Sequence, residues 1–573
     1  MKLFRPLAAA AALLATTPLC AQQAAPAQNV PSEAPRAAPS LVVVISVDQF
    51  SADLFAEYRA QFSAGFARLM SGAVFPSGYQ SHAATETCPG HSTILTGDHP
   101  SKTGIIANDW TDFSAPRADK TVYCAEDESV PGSTSNNYTV SDKHLKVPTL
   151  GEWMKLADPQ SRVVSVAGKD RAAVMMGGHK TDEIWWWNGK AFVSYAGRAE
   201  PAMVTRMNAN VTKRIAEAQG PLDLPPFCQA RSRAFQLNPN RSVGDGRFAR
   251  AAGNGTAFRA SPEFDEAIVA TAAGLATDMK LGQSGHTDLL IVGASATDYV
   301  GHTLGTEGSE MCLQLLSLDQ TLGKLFAVLD KTGVDYAVVL TADHGGHDMP
   351  ERNREHAAPM AARIAKGLDA KTMGKEIGTV LGIAGPVLVG GNSGDVYLAP
   401  DLSKTDRARV QAEAIKRWSA NPQVEAVFTR AQIAATPIVH TPPETWTLLE
   451  RARASYDPQR SGDLVIALKP RVTPIAGTEG GSIATQGNGV LGISNQLTVT
   501  NNAGASIIGR WDGVRANNGI FASNYGLIRG DRFAGMEING GSTITNYGTG
   551  RIYGATGEGA GILINSGVAG ITN

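Results

Sequence analysis

The sequence predicts an α/β fold with a central, mostly parallel sheet, followed by a tail of a different kind. Three observations carry this. Four apolar, β-branched runs end in polar residues: LVVVISVDQF (41–50), RVVSVAGKDR (162–171), DLLIVGASATDYVGH (288–302) and DYAVVLTADHGGHD (335–348). Continuous apolar runs of this length read as strands buried on both faces. Longer helix-like stretches lie between them, such as 261–273 and 312–331. Strands alternating with amphipathic helices build parallel βαβ units, and ligands then bind beyond the strand carboxyl ends. Finally, from Gly481 onward Gly and Asn dominate and Lys disappears.

The N-terminus comes first in chain order. MKLFRPLAAAAALLATTPLCA has Lys2 and Arg5 ahead of a short apolar core at Leu7–Ala15. This is the pattern of an export signal over residues 1–21, followed by a Pro/Ala-rich spacer over 22–38. A periplasmic or secreted protein is expected, with no transmembrane segment, because no other stretch of about 20 apolar residues occurs. A formal charge of -2 in 573 residues offers no field for a nucleic acid, and no nucleic-acid-binding module is read. The chain is long enough for a large core and more than one domain. A monomer is expected.

Residues 39–486 read as the main domain, with an insertion or cap near 190–260, where periodic runs are few. Residues 404–470 read as α+β: one helix, then the strands VEAVFTR and SGDLVIALKP. In the tail, 487–573, Asn502, Asn524 and Asn546 recur 22 residues apart, and INSG at 564–567 follows at a shorter step. Short apolar alternations joined by Asn/Gly turns at this spacing suggest coils of a parallel β-helix. Beyond the export signal the cysteines are Cys88, Cys124, Cys228 and Cys312. An exported compartment permits disulfides, and spacing leaves three pairings open. A bridged Cys88 has no thiolate to act as nucleophile.

The chemistry gathers at the strand ends. Asp48, Asp298, His302, Asp343 and His344 all fall there, with D-x-x-x-H at 298–302 and DH at 343–344 as plausible metal-ligand spacings. Carboxylates with imidazoles suit zinc, with calcium or manganese as alternatives. Two such cations about 3.5–4 Å apart clamp the attacking and leaving oxygens of a displacement. Thr87, in TETCPGHST (85–93), is the candidate nucleophile. A threonine hydroxyl needs activation as an alkoxide, and the helix start that follows favours an anion. His82, His91, His99 and His347 read as supporting or structural.

VDQFSADLF, YQSHAATETCPGHSTILTGDHPSKTGIIANDW, YCAEDES, VSVAGKDRAA, SATDYVGHTLGTEG and TADHGGHDMPERN occur in this order. Over about 40–485 they make the chain resemble bacterial alkaline phosphatases with a threonine nucleophile, the secreted Sphingomonas-type enzymes of the alkaline phosphatase superfamily. The resemblance implies the superfamily's α/β sandwich, two zinc ions and hydrolysis of small phosphate monoesters, with some diester activity. It implies Asp48, Thr87, Asp343 and His344 around one zinc, and Asp298 and His302 at the other. Asn108 would donate to a phosphoryl oxygen, and Lys169 and Arg171 would grip the phosphate. Thr87 would carry a phosphothreonine intermediate.

The resemblance breaks at GSIATQG, where Gln486 stands in place of a histidine ligand expected in GS-x-ATHG. The family's following strand and closing helix are replaced by the Asn/Gly repeats, which resemble autotransporter passenger regions. Two readings stay open. One is an alkaline phosphatase weakened by the missing ligand. The other is a catalytically impaired or inactive scaffold, a surface or structural fusion protein or a degenerate gene product.

Overall fold

The computed structural model describes residues 38–75, 80–355, 360–390 and 394–478, the pair 485–486, and strands between 497 and 572. The expected export signal, and the spacer up to residue 37, lie outside the described residues.

Six strands form the main sheet: β1 (Leu41–Val47), β2 (Val163–Ala167), β3 (Glu183–Trp187), β4 (Phe192–Val193), β5 (Asp288–Ala294) and β6 (Tyr336–Thr341). Their spatial order is β6-β1-β5-β2-β3-β4. All neighbours are parallel except β3 and β4. Register sets the site. Val47 pairs with Ala294, Ser46 with Thr341, and Ala167 with Gly293. Four carboxyl ends therefore finish level on one edge, and the polar residues after them emerge together.

Alternation along β1 divides two cores. Val43, Ile45 and Val47 face one layer with Leu290 and Val292. That layer holds helices α3 (Pro262–Asp278) and α5 (Gly308–Lys331). Val44 faces the other with Leu289, Ile291 and Val163. That layer holds α1 (Thr87–Ile94) and α2 (Asp170–Gly177). With both faces covered, β5 is buried at every position, as its sequence predicts. Helix α5 is long and apolar enough to cross a membrane, but most of its apolar window is buried within the protein, as in a core helix. Strand β6 departs from the expected burial: none of its residues is fully buried and Val339 is 53% exposed, because the strand lies at the sheet edge with a neighbour on one side only.

The 190–260 insertion is more regular than expected. It contains a 15-residue helix, Ala202–Ala216, and a hairpin of Phe235–Asn238 with Arg241–Val243. The helix buries only Met203, Val204 and Val211, so its apolar signal is sparse. A second, antiparallel sheet joins Leu388–Gly390, Asp395–Leu398, Leu464–Leu468 and Val424–Thr429. It packs on helix Lys404–Ser419 through Val410, Ala414 and Trp418. The cysteines pair as Cys88–Cys124 and Cys228–Cys312.

Strands from Leu497 to Thr572 pair in parallel, in three sets at successive chain steps. Asn524 pairs with Asn546, but its other partner is Asn501 rather than Asn502, which lies outside the described residues. Ile562–Ser566, containing the INS of INSG, pairs with Met536–Asn539 and so belongs to another set.

Candidate active site

Asp48 follows β1 and is fully buried. Its N–H donates to Ala294 O at 2.9 Å, tying it to the end of β5. Asp343 and His344 follow β6 and are likewise buried. His344 Nδ1 lies 2.8 Å from Gly345 O. A carbonyl only accepts, so Nδ1 carries the proton and Nε2 faces the carboxylates. Nε2 is 3.3 Å from Asp48 Oδ1 and 3.4 Å from Asp343 Oδ2. Helix α4 (Ala296–Leu304) starts just beyond β5, and its i,i+4 pair brings His302 Nε2 to 3.2 Å from Asp298 Oδ1.

Thr87 is the first residue of α1, buried, with Glu86 at the N-cap. Helix α1 reaches the Asp343 turn because residue 90 is glycine: a Cβ there would lie 2.2 Å from Asp343 O. Lys169 caps α2 and enters the centre of the cluster. Its Nζ is 2.7 Å from Asp48 Oδ2, 2.6 Å from Asp298 Oδ2 and 3.3 Å from Thr87 Oγ1. Arg171 stands beside it, its Nη1 donating to Tyr123 Oη at 3.3 Å. Asn108 accepts the Cys88 N–H at Oδ1, 2.9 Å, so its Nδ2 is the amide group left to donate.

Electrostatics favour additional positive charge. Three buried carboxylates, Asp48, Asp298 and Asp343, surround one ammonium, that of Lys169. Burial pushes the Asp48 carboxyl up, and the neighbouring Asp298 and Asp343 charges push it further. Burial also raises Asp298 and Asp343, but cationic neighbours outweigh it and hold both below the usual range. Burial lowers the His344 pKa, yet Asp343 and Asp48 overcome this and push it up to about 9. Asp48 Oδ1, Asp343 Oδ2 and His344 Nε2 are buried without a well-formed hydrogen bond. Among the described residues, two sets of side chains have ligand atoms close enough to share a cation: Asp48–His91–Asp343 and Asp48–Asp298–His344. The donor set, hard carboxylates with imidazole, fits zinc and other divalent metals.

The fold thus brings together Asp48, Thr87, Lys169, Asp298, His302, Asp343 and His344, with Asn108 and Arg171 tied to neighbouring elements. Lys169, expected at the phosphate, also bridges two of the acids. His302 contacts Asp298 without joining either metal-capable set. Two further residues support the site: His91, which reads from the sequence as supporting or structural, and Gln49, which no sequence signal marks. His91 Nδ1 contacts both Thr87 O (2.9 Å) and Asp343 Oδ2 (3.0 Å). Its i,i+4 spacing from Thr87 was the available signal. Gln49 has φ 65°, an unusual backbone for a non-glycine residue. Its N–H donates to Asp343 Oδ1 (3.1 Å) and its Nε2 to Asp298 Oδ1 (3.0 Å). Gly301 makes room for it, since a Cβ there would lie 2.0 Å from Gln49 Oε1.

The main chain of Gln486 pairs with Gly346, two residues beyond His344. Its short strand also lies against α4. The Gln486 side chain lies outside the described residues.

Buried acids and imidazoles grouped for cations at the carboxyl edge of a parallel sheet are the working parts of a metal-dependent hydrolase. The sequence profile described as Type I phosphodiesterase / nucleotide pyrophosphatase matches residues 42–490, and the chain belongs to that family. It is 54% identical over 455 residues to alkaline phosphatase PhoK of Sphingomonas sp, covering 78% of this chain and 81% of that protein. It is 47% identical over 441 residues to alkaline phosphatase PhoD of Zymomonas mobilis subsp. mobilis, covering 76% of each. The crystal structure of wild-type alkaline phosphatase PafA shares the fold, with a TM-score of 0.67 at 24% identity, over 78% of this chain and 88% of that one. The chain is therefore a hydrolase of the alkaline-phosphatase group.

Proposed function

We propose that this hydrolase cleaves small phosphate monoesters outside the cytoplasm, with Thr87 as nucleophile and two zinc ions as cofactors. The observation that carries this reading is the sharing of Asp48 between two metal-capable sets beside a buried threonine hydroxyl. Asp48, Asp343 and His344, with Thr87, would hold one cation, and Asp298 and His302 the other. When bound, the metal pair lowers the pKa of coordinated hydroxyl groups and offsets charge on the phosphoryl oxygens.

The chain's own groups then have defined tasks. Thr87 Oγ attacks phosphorus in line, the P–O bond to the alcohol breaks, and the phosphate is held as phosphothreonine. Water attacks that ester next, returning the Thr87 hydroxyl and releasing phosphate. Lys169 Nζ, already 3.3 Å from Thr87 Oγ1, donates to an equatorial phosphoryl oxygen. Asn108 Nδ2 and Arg171 donate to others. The test strips the protein with a chelator and restores zinc, calcium or manganese singly. Aryl phosphate monoester hydrolysis returning with zinc, and diester hydrolysis returning more weakly, is the expected result. A folded, metal-loaded protein inactive toward monoesters with every ion would overturn the reading and favour the inactive scaffold.

Gln486 marks where the chain departs from the resemblance. Its main-chain position between Gly346 and α4 supports the reading that a side chain there completes the site of Asp298 and His302. Gln486→His is expected to raise zinc retention at that site, and turnover with it, by tenfold or more, on the order expected for a lost metal contact. Zinc stoichiometry by dialysis against graded chelator checks this. Unchanged retention would place residue 486 outside the metal centre.

Metal loading should depend on pH through His344. Its Nε2 binds a metal only when unprotonated, and in the metal-free protein its pKa is pushed up to about 9. Below pH 9 a metal must displace that proton, so apparent zinc affinity should climb with pH, by up to about tenfold per unit, and level off above about 9. In the metal-free fold the sign is opposite. Stability from protonated His344 is fully present below its ordinary 6.5 and lost as pH rises through about 9. Competition titrations from pH 7 to 10 read both limbs; a flat affinity would remove His344 from the ligand set.

For residues 487–573 the reading is a short parallel β-helix, like a fragment of an autotransporter passenger, appended to a domain over 39–486. The parallel registers of its three strand sets support it, since strands in each set recur once per turn of such a coil.

A further inference from the structure

We propose that the Cys88–Cys124 disulfide is a positioning element of the phosphate site, holding nucleophile, amide donor and guanidinium in one register. The proposal rests on the phosphate-ester reading above.

Cys88 directly follows Thr87, and Cys124 directly follows Tyr123, whose hydroxyl accepts from Arg171 Nη1. The bridge therefore ties the start of α1 to the residue that holds Arg171. Asn108 sits between the two halves. The Cys88 N–H donates to its Oδ1 and the Cys124 N–H to its main-chain O, both at 2.9 Å. The strand after Asn108 pairs Asp109 with Tyr123, so the loop carrying Asn108 and that carrying Tyr123 move as one ribbon. Tyr123 is itself fixed, donating to Asp170 Oδ1 at 2.7 Å, at the head of α2 beside Lys169. Both cysteines are buried.

Without the bridge, the nucleophile helix and this ribbon would be joined at Asn108 by hydrogen bonds. The three groups meant for one phosphate come from three chain segments, and an error near 1 Å in such a constellation costs about 100-fold. The second disulfide is a built-in control. Cys228–Cys312 joins the insertion to α5 in the main hydrophobic core, remote in sequence from these groups.

The test compares wild type, Cys88→Ser/Cys124→Ser, Cys228→Ser/Cys312→Ser and Tyr123→Phe, each loaded with zinc. Readouts are KM and kcat for an aryl phosphate, the inhibition constant and calorimetric affinity of inorganic phosphate, zinc content and melting temperature. Loss of the Cys88 bridge is expected to weaken phosphate affinity and raise KM about tenfold or more at unchanged zinc content. Loss of the other bridge should lower the melting temperature and leave phosphate affinity in place. Tyr123→Phe keeps the bridge, preserves ring volume and removes the Arg171 contact. It should reproduce the weaker phosphate binding even if the serine pair fails to fold. Unchanged phosphate affinity in Tyr123→Phe, or equal losses for both disulfides, overturns the proposal. Failure of the functional reading itself looks different: wild type would neither turn over ester nor bind phosphate.

Discussion

Thr87→Ala should abolish phosphate monoester turnover while the protein folds and keeps most of its metal. The side chain lies at the first turn of α1, but Glu86 rather than Thr87 is the cap, and the Thr87 Oγ1 contact is with Lys169. Lys169 retains two carboxylate partners without it. Losing this hydrogen bond should cost about 1 kcal/mol of stability. Losing the nucleophile should cost on the order of 10⁴-fold or more in kcat, what remains coming from water attack in a site still able to bind phosphate. Thr87→Ser, which keeps the hydroxyl, should restore part of the rate. Stopped reactions checked for labelled phosphothreonine would add direct evidence of the intermediate. A Thr87→Ala enzyme within tenfold of wild type would mean that the buried hydroxyl is not what attacks phosphorus.

The second large effect belongs to Asp48→Asn. Asp48 would hold the first cation and also lies within ligand distance of Asp298 and His344, so the substitution removes a ligand at one site and negative charge beside the other. Metal content should fall toward zero on dialysis and activity by 10³-fold or more, on the scale of losing electrostatic stabilisation of the transferring group. Stability should move the other way in chelator. The Asp48 pKa is raised by burial and by Asp298 and Asp343. A raised carboxyl pKa means the ionised form is penalised in the fold; the penalty is absent below the ordinary value of 3.8, grows as pH rises from there to the folded value, and is full and constant above it. At alkaline pH the metal-free wild type carries that penalty and the asparagine variant does not. Asp48→Asn in chelator should therefore melt no lower than wild type at alkaline pH. With zinc, only wild type should gain. If zinc raised the melting temperature of both proteins equally, Asp48 would be outside the metal centre.

How much of this was legible in the chain varies by kind of residue. The strand-end acids were readable because parallel strands buried on both faces announce themselves as unbroken apolar runs, and the first charge after such a run marks an edge. Asp48 follows that logic directly; Asp343 follows an equally apolar run, although β6 lies at the sheet edge and is not buried on both faces. That a helix carries Asp298 and His302 is a finding of the structure, but the pair was readable from its D-x-x-x-H metal-ligand spacing after an apolar run. Gln49 was not, since nothing in a sequence says that a glutamine will take a positive φ. It does so here because Asp343 and Asp298 accept its two N–H groups and Gly301 leaves space for its amide. His91 reads as supporting or structural, and what it supports does not show locally because its partner, Asp343, is far along the chain.

By itself, then, the sequence determined the α/β class, the chain positions of the acids, imidazoles and threonine, and the place where the texture changes after Gln486. These are local properties: periodicity, composition and short spacings. Only the tertiary structure decided which cysteines pair, that Lys169 bridges Asp48 and Asp298 beside Thr87, and that Asn501 is the partner of Asn524. Each of these depends on register between strands or on the packing of helices distant in sequence. A one-residue slip between β1 and β6 would leave every local signal intact and still carry Asp343 to the wrong side of Asp48.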